Sequence, residues 1–292
     1  MIDALLAHTL KALAWCAGLP GHRLRRAMAS YAARREVRSQ SRRARIVACN
    51  LRLTGQPEAW QGPVLEHTAL TLMESLRIWT RPRRRNLEQI VEVHGLATLA
   101  GAEAQGAVIV VAPHQGNWEL LLQWMAARRS FAVLYTRGES AAMDRFLRLV
   151  RERHGVQAVP ADPHGIKPLL RLLQQGGSIG ITPDQRPESG AVWSPFFGVP
   201  APTMTLIHRL QERSGATLVL AAAERREDGR FVVRVAPMAA EVTSGPMQDR
   251  VDAMNLAIEA FVREAPLQYQ WSYKRYRSPD DPDRNPYWPE CY

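Results

Sequence analysis

A histidine and a carboxylate stand five positions apart in the run HQGNWE at 114–119, which begins with His114 and ends with Glu119. Imidazole titrates near neutral pH and can take a proton from a hydroxyl. A carboxylate close to it can orient the ring and stabilise its cationic form. A histidine at the end of a strand is more often a structural residue, so the spacing alone leaves both readings open.

Two further polar or aromatic segments could contribute to a site. The run GITPDQ at 180–185 places Asp184 and Gln185 after an apolar stretch, although Pro-Asp is also ordinary turn chemistry. The run PFFGVPAPT at 195–203 could wall a groove for an alkyl chain, or it could form a rigid loop of the core. The residues themselves do not decide between these alternatives.

A nucleophilic serine is not expected, although GGSIG at 176–180 matches the G-x-S-x-G pattern around Ser178. A nucleophile elbow requires a strand before the serine and a helix after it, whereas the local pattern here predicts a helix and then a strand. The chain also lacks a Walker motif and a dinucleotide fingerprint. Its three cysteines show neither metal-ligand spacing nor a disulfide framework, which favours a reducing compartment that faces the cytosol.

The elements that position these residues alternate between strands and helices. An apolar run at Ala107–Pro113 predicts a strand buried on both faces, and His114 follows it directly. We therefore predict an α/β fold with a mixed central sheet flanked by helices, and a hairpin around Asp228-Gly229. The other predicted elements are helices at 62–87, 117–128, 141–153, 162–176, 205–214 and 247–264, and strands at 131–135, 178–182, 217–224 and 231–235.

The positive charge is concentrated at the N-terminus. Residues 1–48 contain Lys11 and nine arginines against Asp3 and Glu36, which accounts for +8 of the formal net charge of +10. Residues 2–19 are rich in Leu and Ala but contain polar interruptions, so an interfacial helix fits better than a spanning one. A packed amphipathic helix is the alternative. Nucleic acid is not expected as a partner, since the arginines are not interleaved with aromatic residues in a binding motif.

Taken together, the motifs resemble those of the bacterial lipid A late acyltransferases, members of the lysophospholipid acyltransferase superfamily with a glycerolipid acyltransferase-like fold. The resemblance rests on APHQGNWE at 112–119, PDQRPESG at 183–190, PFFGVPAPT at 195–203, SGATLV at 214–219 and PLQYQWSYKRYR at 266–277, which occur in the family's order. It covers about residues 45–277.

The resemblance implies specific roles for several residues. His114 and Glu119 correspond to the family's catalytic His-x4-Glu motif, with His114 as the general base and Glu119 as its orienting partner. The predicted substrate-binding residues are Asn117, Asp184, Gln185 and a downstream basic residue that falls on Arg153, with Arg151 as the alternative. Neither a metal nor a redox cofactor is implied.

The resemblance further implies transfer of a fatty acyl group from acyl carrier protein to a hydroxyl of a lipid A precursor. Residues 1–48 are then a basic, membrane-associating helical segment and residues 49–292 the acyltransferase domain, on an anionic membrane surface at the cytoplasmic face of the inner membrane. A related enzyme acting on another glycolipid, an aminolipid or a pigment precursor is the alternative.

Overall fold

The fold centres on a seven-stranded mixed sheet with helices on both faces. The computed structural model describes residues 15, 19–137, 140–187, 189–277 and 285–287. The sheet has the strand order β1-β9-β8-β2-β5-β3-β4, and a separate hairpin pairs β6 with β7. The strands are β1 Ile90–His94, β2 Val108–Val111, β3 Phe131–Tyr135, β4 Val156–Pro160, β5 Ser178–Ile181, β6 Ala191–Phe196, β7 Val199–Met204, β8 Thr217–Arg225 and β9 Phe231–Pro237.

The helices that the structure describes cover the sheet and the N-terminal part of the chain. They are α1 His22–Arg38, α2 Arg42–Leu53, α3 Gln61–Thr80, α4 Arg83–Leu87, α5 Leu96–Gln105, α6 Trp118–Arg128, α7 Ala141–Arg153, α8 Pro163–Gln174, α9 Leu206–Ser214 and α10 Met247–Arg263. Within the described ranges, no helix is long and apolar enough to cross a bilayer.

Strand β2 runs through the middle of the sheet and is buried on both sides, as its apolar run predicts. Val108 and Val110 pack into one hydrophobic cluster, whereas Ile109 and Val111 pack into the other. This alternation follows from the two-residue period of a strand, which directs successive side chains to opposite faces. β2 is parallel to both of its neighbours, β5 and β8, so the carboxyl ends of these three strands meet at one edge.

The predicted α/β class, the mixed sheet and the N-terminal helical segment are confirmed. Asp162 caps α8, since its side chain accepts hydrogen bonds from two backbone amides of the first turn. The predicted helix over 62–87 is divided into α3 and α4, because Pro82 begins a new helix. Strands β1 and β4 and helix α5 are not predicted by the sequence patterns, and β6 and β7 form a hairpin where a loop was expected.

The basic N-terminal part packs directly on the rest of the chain. Helix α1 lies along α3, where Ser30 donates a hydrogen bond of 2.5 Å to Glu66. Helix α2 runs continuously across the expected division between residues 48 and 49. Cys49 on this helix is disulfide-bonded, so the expectation of no disulfide is wrong there. Sequence separation does not determine how close folding brings two sulfur atoms.

Candidate active site

His114 and Asp184 meet because they follow two adjacent parallel strands by the same distance. β2 ends at Val111 and β5 ends at Ile181, and these two residues are paired in the register of the sheet. His114 and Asp184 each come three residues later. Polar residues that follow the carboxyl ends of adjacent parallel strands lie close together at one edge of the sheet. Ligands of open α/β sheets bind at this edge.

The imidazole of His114 and the carboxylate of Asp184 form a closely bonded pair. The ring Nδ1 lies 2.8 Å from Oδ1 of Asp184, and the backbone amide of His114 donates to Oδ2 at 2.7 Å. Only 14% of the His114 side chain and 1% of the Asp184 side chain are exposed. An ionised carboxylate can only accept hydrogen bonds, so Nδ1 carries the proton and Nε2 has a free lone pair.

The electrostatics of Asp184 favour its ionised form. Burial alone would raise the pKa of this carboxyl, but the charge of His114 and two hydrogen bonds from His114 outweigh burial and lower the pKa. The nearby Arg275 adds to the same effect. Asp184 therefore remains an acceptor at neutral pH and can balance a positive charge on the ring.

The ring of His114 also contacts an aromatic side chain. The rings of His114 and Trp118 meet edge to face, with centroids 5.2 Å apart. Nε2 of His114 has no hydrogen-bond partner among the residues that the structure describes, and the ring is partly accessible to solvent. The arrangement leaves one ring nitrogen without a partner on a side chain that is 14% exposed, so a substrate hydroxyl can reach it.

Glu119 has a different partner from the one that the sequence suggests. Its carboxylate pairs with Arg151, with Nη2 of Arg151 2.6 Å from Oε1 and Nε 3.4 Å from Oε2. Both side chains are largely buried. Asp184, and not Glu119, is thus bonded to the ring of His114. Glu119 lies in the first turn of α6 and Arg151 in the last turn of α7, where the helix dipoles favour those charges.

The ion pair with Glu119 keeps Arg151 positively charged. Burial disfavours the guanidinium, but the charge and hydrogen bonds of Glu119 overcome burial and raise the pKa of Arg151. Its guanidinium also lies over the ring of Tyr135, 5.6 Å from the centroid. Arg153, which the sequence analysis favours, is exposed and lines a shallow depression with Arg83 and Arg84. Arg151 is therefore the arginine that pairs with the motif carboxylate.

Asn117 is fully buried and caps α6. Its side-chain oxygen accepts from the backbone amide of Leu120 at 3.1 Å, and its side-chain nitrogen lies 3.5 Å from Glu74. Glu74 in turn receives two hydrogen bonds of 2.6 Å from Arg225, an ion pair almost completely removed from solvent. This buried network of Asn117, Glu74 and Arg225 holds the start of α6 in place. No sequence pattern predicts that these three residues meet.

The backbone of the motif is fixed by a glycine and by the segment after α10. Gly116 has a φ of +62°, and a Cβ at this position would lie 2.1 Å from the carbonyl oxygen of Ala223. The amide of Gln270 donates to the carbonyl of His114 at 2.9 Å. Gln270 also accepts from Gln185 at 3.2 Å, so this segment connects the two predicted motifs.

The aromatic residues of the PFFGVPAPT segment belong to the core. Phe196 and Phe197 are buried and contact each other edge to face, with centroids 4.9 Å apart. Phe197 also packs on Trp271, and Phe196 on Tyr269. The two aromatic rings are therefore part of the core and do not line a groove for an alkyl chain.

Ser178 is not positioned as a nucleophile. It opens β5, pairs with Val108 in the register, and is completely buried. This position is at the end of the strands opposite to His114. Within the described ranges, no cluster of three or more His, Cys, Asp or Glu side chains is arranged to hold a metal ion.

Comparison with known proteins identifies the family to which this site belongs. The family model for bacterial lipid A biosynthesis acyltransferases matches residues 6–278. The chain is 27% identical over 255 residues to the lipid A biosynthesis lauroyltransferase of Escherichia coli, which covers 83% of this chain and 81% of the relative. It is 25% identical over 263 residues to the lipid A biosynthesis myristoyltransferase of the same organism, with 85% and 78% covered.

A third relative is the lipid A biosynthesis acyltransferase of Haemophilus influenzae, 27% identical over 213 residues, which cover 68% of this chain and 63% of the relative. The His114 motif, its position at the strand edge and the extent of the family match agree with one another. The chain belongs to the bacterial lipid A biosynthesis acyltransferase family, and it is an acyltransferase that acts on a lipid.

Proposed function

We propose that this acyltransferase moves a fatty acyl group from acyl carrier protein to a hydroxyl of a lipid A precursor. The observation that carries the proposal is the His114–Asp184 pair, which leaves one basic ring nitrogen without a partner among the described residues. Membership of the lipid A acyltransferase family supports the lipid acceptor. Because the pair can activate a hydroxyl directly, no acyl-enzyme is required.

In the proposed reaction, Nε2 of His114 takes the proton of the acceptor hydroxyl while its oxygen attacks the thioester carbonyl carbon. A carbon–oxygen bond forms, and collapse of the tetrahedral intermediate breaks the carbon–sulfur bond. The imidazolium then returns the proton to the departing thiolate. Asp184 maintains the ring tautomer and stabilises the positive charge that develops on it. These reaction steps need neither a metal nor a redox cofactor.

The remaining site residues support this chemistry in different ways. Arg151, held by Glu119, is proposed to bind a phosphate of the acceptor or the developing oxyanion. Asn117 acts by positioning the motif, since its side chain is buried. Gln185 is partly exposed next to Asp184 and is proposed to contact the acceptor.

An acyl-transfer assay with purified protein and a lipid A precursor tests this assignment. His114→Ala and Glu119→Ala should each lower turnover by about 10²-fold or more, the usual contribution of general acid–base catalysis and its support. Ser178→Ala is the matched control, because this hydroxyl is buried away from the motif, and it should keep most activity. A folded Ser178→Ala protein without activity, beside an active His114→Ala protein, would contradict the mechanism.

The exposed arginines of α7 and α4 support an acidic carrier protein as the acyl donor. Helix α7 directs Arg151 inward, and its outer face exposes Arg145 and Arg148. Arg83, Arg84 and Arg153 line a shallow depression together with Glu88 and Glu152, which leaves a small excess of positive charge. Electrostatic complementarity of this kind mainly increases the association rate, and salt screens it.

The donor proposal predicts a salt-dependent reaction. The kcat/KM with acyl carrier protein should fall as ionic strength rises, and Arg84→Glu with Arg153→Glu should lower it at low salt by about tenfold. Arg171→Glu with Arg213→Glu, at exposed positions of α8 and α9, is the control and should have little effect. Equal efficiency with acyl-coenzyme A at every salt concentration would remove the basis of the proposal.

We further propose that the protein lies peripherally on the cytoplasmic face of the inner membrane. Most of residues 2–19, on which the expected interfacial helix falls, lie outside the described residues. Helix α1 supports the proposal, because Leu24, Met28 and Tyr31 recur at helical spacing and are exposed. Arg34 and Arg35 on the same helix are exposed as well. An apolar face flanked by arginines is typical of a helix that lies on an anionic membrane.

Vesicle binding tests this arrangement. Deletion of residues 1–20 should weaken binding to anionic vesicles but leave a salt-sensitive remainder, since each basic residue near the surface contributes about 1 kcal/mol. Replacement of Arg34 and Arg35 by Gln should weaken binding and flatten its salt dependence. A full-length protein that never binds vesicles would contradict the proposal.

A further inference from the structure

The segment 268–273, which comes after α10, is bonded to the backbone of the HQGNWE motif. The amide of Gln270 donates to the carbonyl of His114 at 2.9 Å, and the carbonyl of Gln268 accepts from the amide of Gly116 at 3.0 Å. The two chains run antiparallel at this contact. These two hydrogen bonds fix the stretch of backbone that carries the ring of His114.

The same segment is bonded to the loop that carries Asp184. It accepts a hydrogen bond of 3.2 Å from the side chain of Gln185. The hydroxyl of Tyr273 accepts another, also of 3.2 Å, from the backbone amide of Arg186. Gln185 and Arg186 directly follow Asp184 in the chain. The segment 268–273 therefore bridges the two loops whose side chains meet in the proposed active site.

Asn50 of helix α2 holds this segment in place from the other side. Its side chain is buried, and its amide nitrogen donates to the backbone carbonyls of Trp271 at 2.6 Å and Tyr273 at 2.8 Å. Its side-chain oxygen accepts from the hydroxyl of Tyr287 at 2.7 Å. A carboxamide has two N–H donors, so both donors of Asn50 are used on the segment 268–273. An apolar residue at this position would leave two carbonyls without these donors, which is costly in a buried place.

We propose that Asn50 is a positioning residue for the His114–Asp184 pair. It does not touch the pair, but it fixes the segment 268–273, which is bonded to both loops. The contact of 2.8 Å between the ring of His114 and Asp184 requires the two loops to keep their relative position. A displacement of about 1 Å in a catalytic site can cost about 10²-fold in rate. The proposal rests on the proposed function of His114, and it makes α2 part of the scaffold of the active site.

Comparison of Asn50→Ala with Asn255→Ala in the full-length protein tests the proposal. Asn255 of α10 is the matched control, because its buried carboxamide donates to Ser194 and Thr203 of the β6–β7 hairpin and not to the segment 268–273. Asn50→Ala should lower kcat by about 10- to 10²-fold with little change in KM. It should also change the ¹⁵N signals of the His114 ring, because Asp184 no longer holds Nδ1 in place. Asn255→Ala should lose comparable stability but keep both kcat and the ring signals.

Tyr287→Phe is a milder variant for the case that Asn50→Ala does not fold. It removes the hydroxyl that orients the carboxamide of Asn50, so it should change the ring signals and kcat in the same direction by a smaller amount. The proposal is overturned if the folded variants keep the ring signals of His114, or if Asn255→Ala changes them equally. Changed ring signals with an unchanged kcat would support the positioning role of Asn50 and contradict the proposed function of His114.

Discussion

Replacement of Asp184 by asparagine separates the two candidate partners of His114. The carboxylate accepts from both the backbone amide and the ring Nδ1 of His114, at 2.7 and 2.8 Å. An asparagine side chain has only one oxygen, so one of these donors would face its NH2 group. If the oxygen stays with the backbone amide, the ring must present an unprotonated Nδ1. Its proton then moves to Nε2, the nitrogen that has to act as the base.

The size of the effect follows from the contacts that are lost. A hydrogen bond to a charged group contributes about 1.5–3 kcal/mol, which corresponds to roughly 10- to 10²-fold in rate. The inverted tautomer adds to this loss, because the base must first be regenerated. We expect kcat to fall by about 10²- to 10⁴-fold in Asp184→Asn, the range of general acid–base catalysis.

The assay compares Asp184→Asn with Glu119→Gln by acyl-transfer kinetics across pH and by ¹⁵N NMR of the histidine ring. Asp184→Asn should change the tautomer of His114 and lower kcat across the whole pH range, because the acceptor of the Nδ1 proton is removed. Glu119→Gln should leave the tautomer unchanged and act through Arg151. A changed tautomer in Glu119→Gln with an unchanged one in Asp184→Asn would refute the reasoning.

Three further predictions concern the scaffold of the site. Gly116→Ala should lower the free energy of unfolding by at least about 1–2 kcal/mol and reduce kcat, because its Cβ would collide with the carbonyl of Ala223. Glu74→Ala should cost about 3–5 kcal/mol in urea unfolding, since it leaves a buried arginine charge unpaired, whereas Glu92→Ala in a solvent-exposed pair should have little effect. Equal costs would contradict the role of burial. The pKa of Asp184 is lower in the folded protein, so its ionised form stabilises the fold above about pH 4 and this contribution disappears as pH falls through the lower folded pKa. The stability difference between the original protein and Asp184→Asn should therefore shrink in acid, as measured by unfolding from pH 6 to pH 2.

Sequence patterns predicted the central strands because burial on both faces leaves a continuous apolar run. The two strands that they missed, β1 and β4, are the two edges of the sheet. Both strands have mixed burial, with polar residues such as Glu92 and Gln157 exposed, so no apolar run marks them. The β6–β7 hairpin escaped prediction for another reason, since Pro200 and Pro202 argue against a strand unless it lies at an edge.

The sequence by itself determined the family, the fold class and the position of His114 and Asp184 after apolar strands. Only the tertiary structure decided that these two residues bond to each other, because strand register is not readable from either segment alone. The tertiary structure also showed that Arg151, and not Arg153, pairs with Glu119. Residues two positions apart on a helix point in nearly opposite directions, so only one of the two can face the motif. The buried pair of Glu74 and Arg225, which are 151 residues apart, could likewise emerge only when the sheet and α3 packed together.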